Sequence, residues 1–139
     1  MGRINVGRMV LGGLLAGLVI NVSETVLNLV VVAQQMEDVL RARNLPPAGA
    51  GTIAGFVLNA FVLGIATVWL YAAVRPKFGA GPRTAAIAGA AVWFFTYFYG
   101  AVTYILMGFL PAKVTTVATL WGLPEIIVAA IAGAWIYTE

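Results

Sequence analysis

Four long apolar runs dominate the pattern of hydrophobic and polar positions, and short polar stretches rich in Pro and Gly separate them. A bilayer core about 30 Å thick needs about 20 mostly apolar residues per helix, at about 1.5 Å rise each. Runs 9–33, 51–74, 84–107 and 114–137 meet that length. Breakers mark the gaps: Pro46-Pro47, Arg75-Pro76, Gly79-Ala80-Gly81-Pro82, and Gly108 with Pro111. Spans joined by so little chain are antiparallel neighbours. The pattern predicts an all-α, integral membrane four-helix bundle, with residues 1–139 as a single domain.

The first run has Arg3 and Arg8 ahead of it and ends in Val31-Val32-Ala33, which resembles a cleavage site. It is too long for a signal's apolar core and contains Glu24, so it is read as a retained helix. Residues 34–44 are polar yet contain no breaker. Glu37 and Arg41 stand i,i+4 in the favourable order, and Met36, Val39 and Leu40 make a narrow apolar stripe. The first helix should project past the membrane here, or bend into a short interfacial helix before Pro46.

Composition sharpens this picture. Hydrophobic residues are 62% and charged residues 9%, against about 45–50% and about 25% in soluble domains, which excludes a water-soluble globule. The chain has no Cys and no His. Disulfides, thiolate zinc sites, iron–sulfur clusters, imidazole metal sites and His-based triads are therefore excluded, and no metal or other cofactor is expected. The formal charge of +3 is a topology signal. No basic stripe points to nucleic acid, so the expected surroundings are the lipid bilayer.

Short-loop Lys and Arg set orientation. With the N-terminus inside, Arg3, Arg8, Arg75, Lys77 and Arg83 face the cytoplasm, against Arg41, Arg43 and Lys113 outside, the latter diluted by Glu37 and Asp38. Both termini are expected in the cytoplasm. Trp69, Tyr71, Trp135 and Tyr137 would then form an inner aromatic belt. Small size and simple loops suggest a multi-pass protein of a prokaryotic cell's inner (plasma) membrane.

Helices in lipid associate through close backbone approach and interhelical hydrogen bonds. Small residues at four-residue spacing occur as Gly13/Gly17, Gly51/Gly55, Ala85/Gly89 and Ala129/Gly133. They predict a tight bundle, with a further face for a homo-oligomer or a larger membrane complex. The acids of the first and fourth spans are not equivalent under a two-plus-two repeat, so no internal duplication is read.

Within the spans, several residues are ones that lipid should reject. Asn21, Glu24, Thr25 and Asn28 stand at i, i+3, i+4 and i+7 on one helical face. The fourth span centres Glu125 among Gly122, Ala129 and Ala132; the second contributes Asn59, and the third Thr96, Tyr97 and Thr103. By rise from the flanking charges, Glu24, Glu125, Asn21, Asn59 and Tyr97 share one slab of the bilayer. An ionised carboxylate at bilayer centre costs about 2.5–3.5 kcal/mol on insertion scales. No Lys or Arg lies within a span to pair with either acid. The carboxyls must stay protonated, sit in a water-filled cavity, or hold a mobile cation. The competing reading is structural: such groups also serve as interhelical glue worth about 0.6–2 kcal/mol, and glue suits Asn21, Asn28, Asn59, Thr25 and Ser23 best.

Pro124 lacks a backbone donor and clashes with the carbonyl of Leu120, while Gly122 loosens the same turn. Trp121-Gly122-Leu123-Pro124-Glu125 therefore predicts a kink beside the acid, with a freed carbonyl able to hold a cation or a water. Trp93, Phe94, Phe95, Tyr97, Phe98 and Tyr99 lie too deep for an interfacial belt. They line a pocket for a lipophilic cation, quinone or carotenoid, or simply fill the core or face lipid.

The layout resembles the small multidrug resistance transporters in general plan: four short helices, one acid deep in the first (Glu24), and aromatics in the third. Glu125 and Pro124 have no counterpart in that pattern, and no residue role is carried over. The function expected is a proton- or cation-linked transporter or channel, with Glu24, Glu125, Asn21, Asn59, Tyr97 and Asn28 around the exchange site. The alternative is a non-catalytic membrane subunit or scaffold within a larger complex. Enzymatic activity is not expected, because acids alone offer few reaction types within a bilayer.

Overall fold

The computed structural model describes residues 4–138; Arg3, counted above for orientation, lies outside them. The chain is all helical, in five helices: α1 (Val6–Val31), α2 (Ala33–Ala42), α3 (Ala50–Phe78), α4 (Pro82–Leu106) and α5 (Ala112–Ile136). All but α2 are long and apolar enough to cross a membrane, and the chain is a multi-pass membrane protein with a four-helix bundle.

Local chemistry places the helix ends a little beyond the expected spans. Asn5 caps α1 by accepting the Arg8 N–H at 3.1 Å. Pro82 starts α4 at a position where its missing N–H costs nothing. Arg75-Pro76 does not stop α3, which continues to Phe78. Pro76 deletes a single helical bond so close to the end, and the Gly79 N–H closes on the Arg75 carbonyl at 2.9 Å. Gly79 and Gly81 then turn the chain at φ +85° and +133°, where a side chain would strain.

After α1 the backbone breaks at Val32 (φ −115°, ψ 10°), and α2 follows as a separate helix. Glu37 and Arg41 pair on its exposed side, while Met36, Val39 and Leu40 are half-buried. Of the two forms expected for this stretch, the chain takes the short separate helix.

Consecutive spans run antiparallel, and α1 lies between α3 and α5, with α4 completing the ring. Glycine makes the α1 contacts close. A Cβ on Gly64 would overlap the Gly13 carbonyl and the Gly17 N–H, and one on Gly12 would overlap the Gly133 carbonyl. Ala85/Gly89 and Ala129/Gly133 likewise pack inside, Gly89 against Ile126 and Ala130. Gly51 and Gly55 differ: nothing stands within 4 Å of a Cβ there, and residues 50–59 of α3 are all exposed. The first ten residues of α3 are therefore largely uncovered by the bundle.

The expected aromatic belt divides. Trp69 and Trp135 face outward, but Tyr71 and Tyr137 are buried and meet edge to face at 6.0 Å. Their hydroxyls accept the Gly81 N–H at 3.2 Å and the Asn5 N–H at 3.3 Å. Arg75 stands over the Tyr137 ring. These tyrosines satisfy backbone donors at helix ends, a use the sequence pattern does not separate from an interfacial belt.

Candidate functional site

Three of the four spans build one polar cluster. On α1, Glu24 and Asn28 stand one turn apart, and the Asn28 amide donates to Glu24 Oε2 at 3.0 Å and to the Glu24 carbonyl at 2.8 Å. From α4, the Tyr97 hydroxyl donates to Glu125 Oε1 at 2.7 Å and lies 3.5 Å from Glu24 Oε1. From α5, Glu125 is 5% exposed, and its Oε2 is buried with no hydrogen-bond partner among the described residues. Ser23 and Glu24 lie beside that carboxyl. The Trp121 indole N–H donates to Ser23 Oγ at 2.9 Å, fastening α5 to α1 next to the acids.

Two widened helical turns aim these groups. The α1 backbone closes Val32 N–H onto Leu27 O, and α4 closes Tyr99 N–H onto Phe94 O, each across five residues. Asn28 sits in the first π turn (Leu27–Val31) and Tyr97 in the second (Phe94–Phe98). Both partners of Glu24 on other turns thus come from π turns, which concentrate at functional sites. Nothing in residue type or spacing announces them.

Gly122 acts as a seat for the Tyr97 ring. A Cβ on Gly122 would come within 2.6 Å of Tyr97 Cε1. Only hydrogen at this position lets the ring lie flat against α5 and bring its hydroxyl to Glu125. α5 remains helical through Pro124, which is exposed. A cleft of about 270 Å³ between α1 and α5, walled by Val19, Ser23, Trp121, Pro124 and Val128, opens beside Glu125.

The structure sorts the candidates. Glu24, Asn28, Tyr97 and Glu125 meet. Asn21 and Thr25 form a second column on α1, about 60° and about 100° around the helix from Glu24. The Asn21 amide donates to the Gly17 and Val57 carbonyls at 3.0 and 3.3 Å, and the Thr25 hydroxyl to the Asn21 carbonyl at 2.7 Å. Both wall a separate cleft of about 380 Å³ against α3. Asn59 lies on the uncovered stretch of α3, away from the acids. Thr96 and Thr103 donate to carbonyls of their own helix, at 2.7 and 3.2 Å.

The α4 aromatics divide in the same way. Trp93 is half-buried and donates to the Thr119 carbonyl at 2.8 Å, while Phe94, Phe95, Phe98 and Tyr99 are exposed. Phe94 and Phe98 stack on that outer face at 5.4 Å. Ser23 and Trp121 are the members that pattern reading placed elsewhere, as glue and as part of the kink motif. Each lies within one turn of an acid, and that is the signal available for them.

No Lys or Arg among the described residues pairs with Glu24 or Glu125. Two carboxyls and a phenol therefore share a buried site without a fixed counter-charge. Such a cluster can hold or pass a proton, or accept a mobile cation. Comparison with known proteins finds no matching family, no similar curated protein and no similar solved structure.

Proposed function

We propose that the chain is a proton- or cation-linked membrane transporter or channel, with Glu24 and Glu125 as its exchange site and both termini in the cytoplasm. The observation that carries this reading is the Tyr97 hydroxyl set between the two carboxyls, 2.7 Å from one and 3.5 Å from the other. A purely structural hydrogen bond needs one acid and one donor. Here a second acid is present, and one Glu125 oxygen is left without a partner, an arrangement that costs stability and is kept where a site has work to do.

Flux of protons and of alkali cations into liposomes holding the purified chain tests this. The parent protein should move at least one of them, and Glu24→Gln and Glu125→Gln should each remove most of that flux. A silent parent, or variants that match it, overturns the reading.

A second reading, a non-catalytic subunit that self-associates or packs into a larger membrane complex, is favoured by the exposed residues 50–59 of α3. Gly51, Gly55 and Asn59 are all exposed there. A second protein recovered at stoichiometric yield in mild detergent, together with a silent parent in liposomes, supports it.

A further inference from the structure

The hydrogen-bond valences of the cluster narrow what is exchanged. An ionised carboxylate only accepts, and a phenol has one hydrogen to give. That hydrogen is committed to Glu125 Oε1 at 2.7 Å. The approach of Tyr97 to Glu24 Oε1 at 3.5 Å becomes a hydrogen bond only if Glu24 carries a proton on Oε1 and donates it to the phenol oxygen. The other side of Glu24 fits that state, because Oε2 already accepts from Asn28, as the carbonyl oxygen of a neutral acid does. One proton beyond the phenol's own, shared between two carboxyls, thus satisfies the contacts of Tyr97 and Asn28 and leaves Glu125 Oε2 beside Ser23 and Glu24.

A hard metal cation fits less well. Such ions gather about six oxygens. Glu24 Oε2 and Glu125 Oε1 are already engaged by Asn28 and Tyr97, and Ser23 Oγ accepts from Trp121. That leaves Glu24 Oε1 and the buried Glu125 Oε2, two carboxylate oxygens where such an ion gathers about six. The titratable groups that face one another are Glu24 from α1, Tyr97 from α4 and Glu125 from α5; α3 contributes none.

Resting on the transport reading above, we infer that the species exchanged here is a proton, and that the Tyr97 hydroxyl is the bridge over which Glu24 and Glu125 share it. In the transfer step the Glu24 Oε1–H bond breaks as the phenol oxygen takes that proton. The phenol's original O–H bond breaks as its proton passes to Glu125 Oε1. Glu24 ends as the carboxylate and Glu125 as the acid; Tyr97 is neutral before and after, and the cluster keeps one negative charge. The Tyr97–Glu24 separation must contract to about 2.7 Å for this step. Rotation of the phenol hydrogen resets the chain. Trp121, Ser23 and Asn28 position the two acids, and the cleft walled by Pro124 lies beside Glu125.

Tyr97→Phe is the discriminating variant, because it removes the hydroxyl and keeps the ring on Gly122. Infrared difference spectra of the full chain in liposomes should show one protonated carboxyl, with a band that shifts in Tyr97→Phe and disappears in Glu24→Gln. Proton uptake, read with an entrapped pH dye under an imposed membrane potential, should fall about 100-fold in Tyr97→Phe, the lower range for a positioned proton-transfer group. Both carboxyls ionised in the parent, or a band and flux unmoved by Tyr97→Phe, overturns the bridge. Alkali-cation flux without proton movement overturns the proton assignment while leaving the transport reading standing. A parent silent to every ion overturns that reading itself, whatever the infrared band shows.

Discussion

Gly64→Ala is expected to prevent the bundle from closing. The added methyl would point at the Gly13 carbonyl and the Gly17 N–H of α1, and these are backbone atoms, which cannot rotate aside as a side chain can. Overpacking a core where side chains can shift costs about 1–3 kcal/mol; here the loss should reach about 3 kcal/mol or more. Relief would require α1 to move off α3, and α1 is held on its other side by Gly12 against Gly133. Gly55→Ala is the matched control, in the same helix and also at a glycine, but with open space around the new methyl. It should be neutral or gain up to about 1 kcal/mol from helix propensity. Thermal unfolding in detergent, followed by loss of helicity, separates the two. If both variants melt together, α1 and α3 do not approach as closely as Gly64 implies.

Gly122→Ala should silence the acid cluster without touching an acid. Its methyl occupies the place of the Tyr97 ring, so the phenol leaves Glu125 and the carboxyl loses its 2.7 Å hydrogen bond. Leaving a buried acceptor unsatisfied costs about 1–3 kcal/mol, and the displaced ring adds an overpacking cost, so this variant should be less stable than Tyr97→Phe. Its proton flux should fall to the level of Tyr97→Phe. Adding Tyr97→Ala to Gly122→Ala makes room again; stability should recover in part and flux should not. Flux near that of the parent in Gly122→Ala would show that the ring needs no seat.

The fold was largely legible because its dominant constraint is simple. Helix length against bilayer thickness, and Pro-Gly punctuation, locate four spans within a few residues of α1, α3, α4 and α5. The acids were legible for a similar reason: Glu24 and Glu125 stand out in any apolar run, and Tyr97 shares their depth. Packing partners were less legible. Asn21 and Glu24 differ by about 60° around α1, too little for a face-counting argument to separate, yet enough to send one toward α3 and the other toward α4 and α5. Gly51/Gly55 and Gly13/Gly17 have the same spacing, but which pair is covered depends on how far α3 stays with its neighbours. The π turns escaped altogether, since a regular 3.6-residue wheel assumes them away.

A widened turn is in effect a one-residue insertion. Deleting one residue between Phe94 and Phe98 would let α4 rewind as an ordinary helix with its two flanks in place, and only the side chains within the turn would change position. Phe94, Phe95, Phe98 and Tyr99 are all exposed today, so the rewound helix could present a ring without a hydroxyl to the acids. Chain length at this point, as well as residue type, thus bears on which aromatic the carboxyls meet.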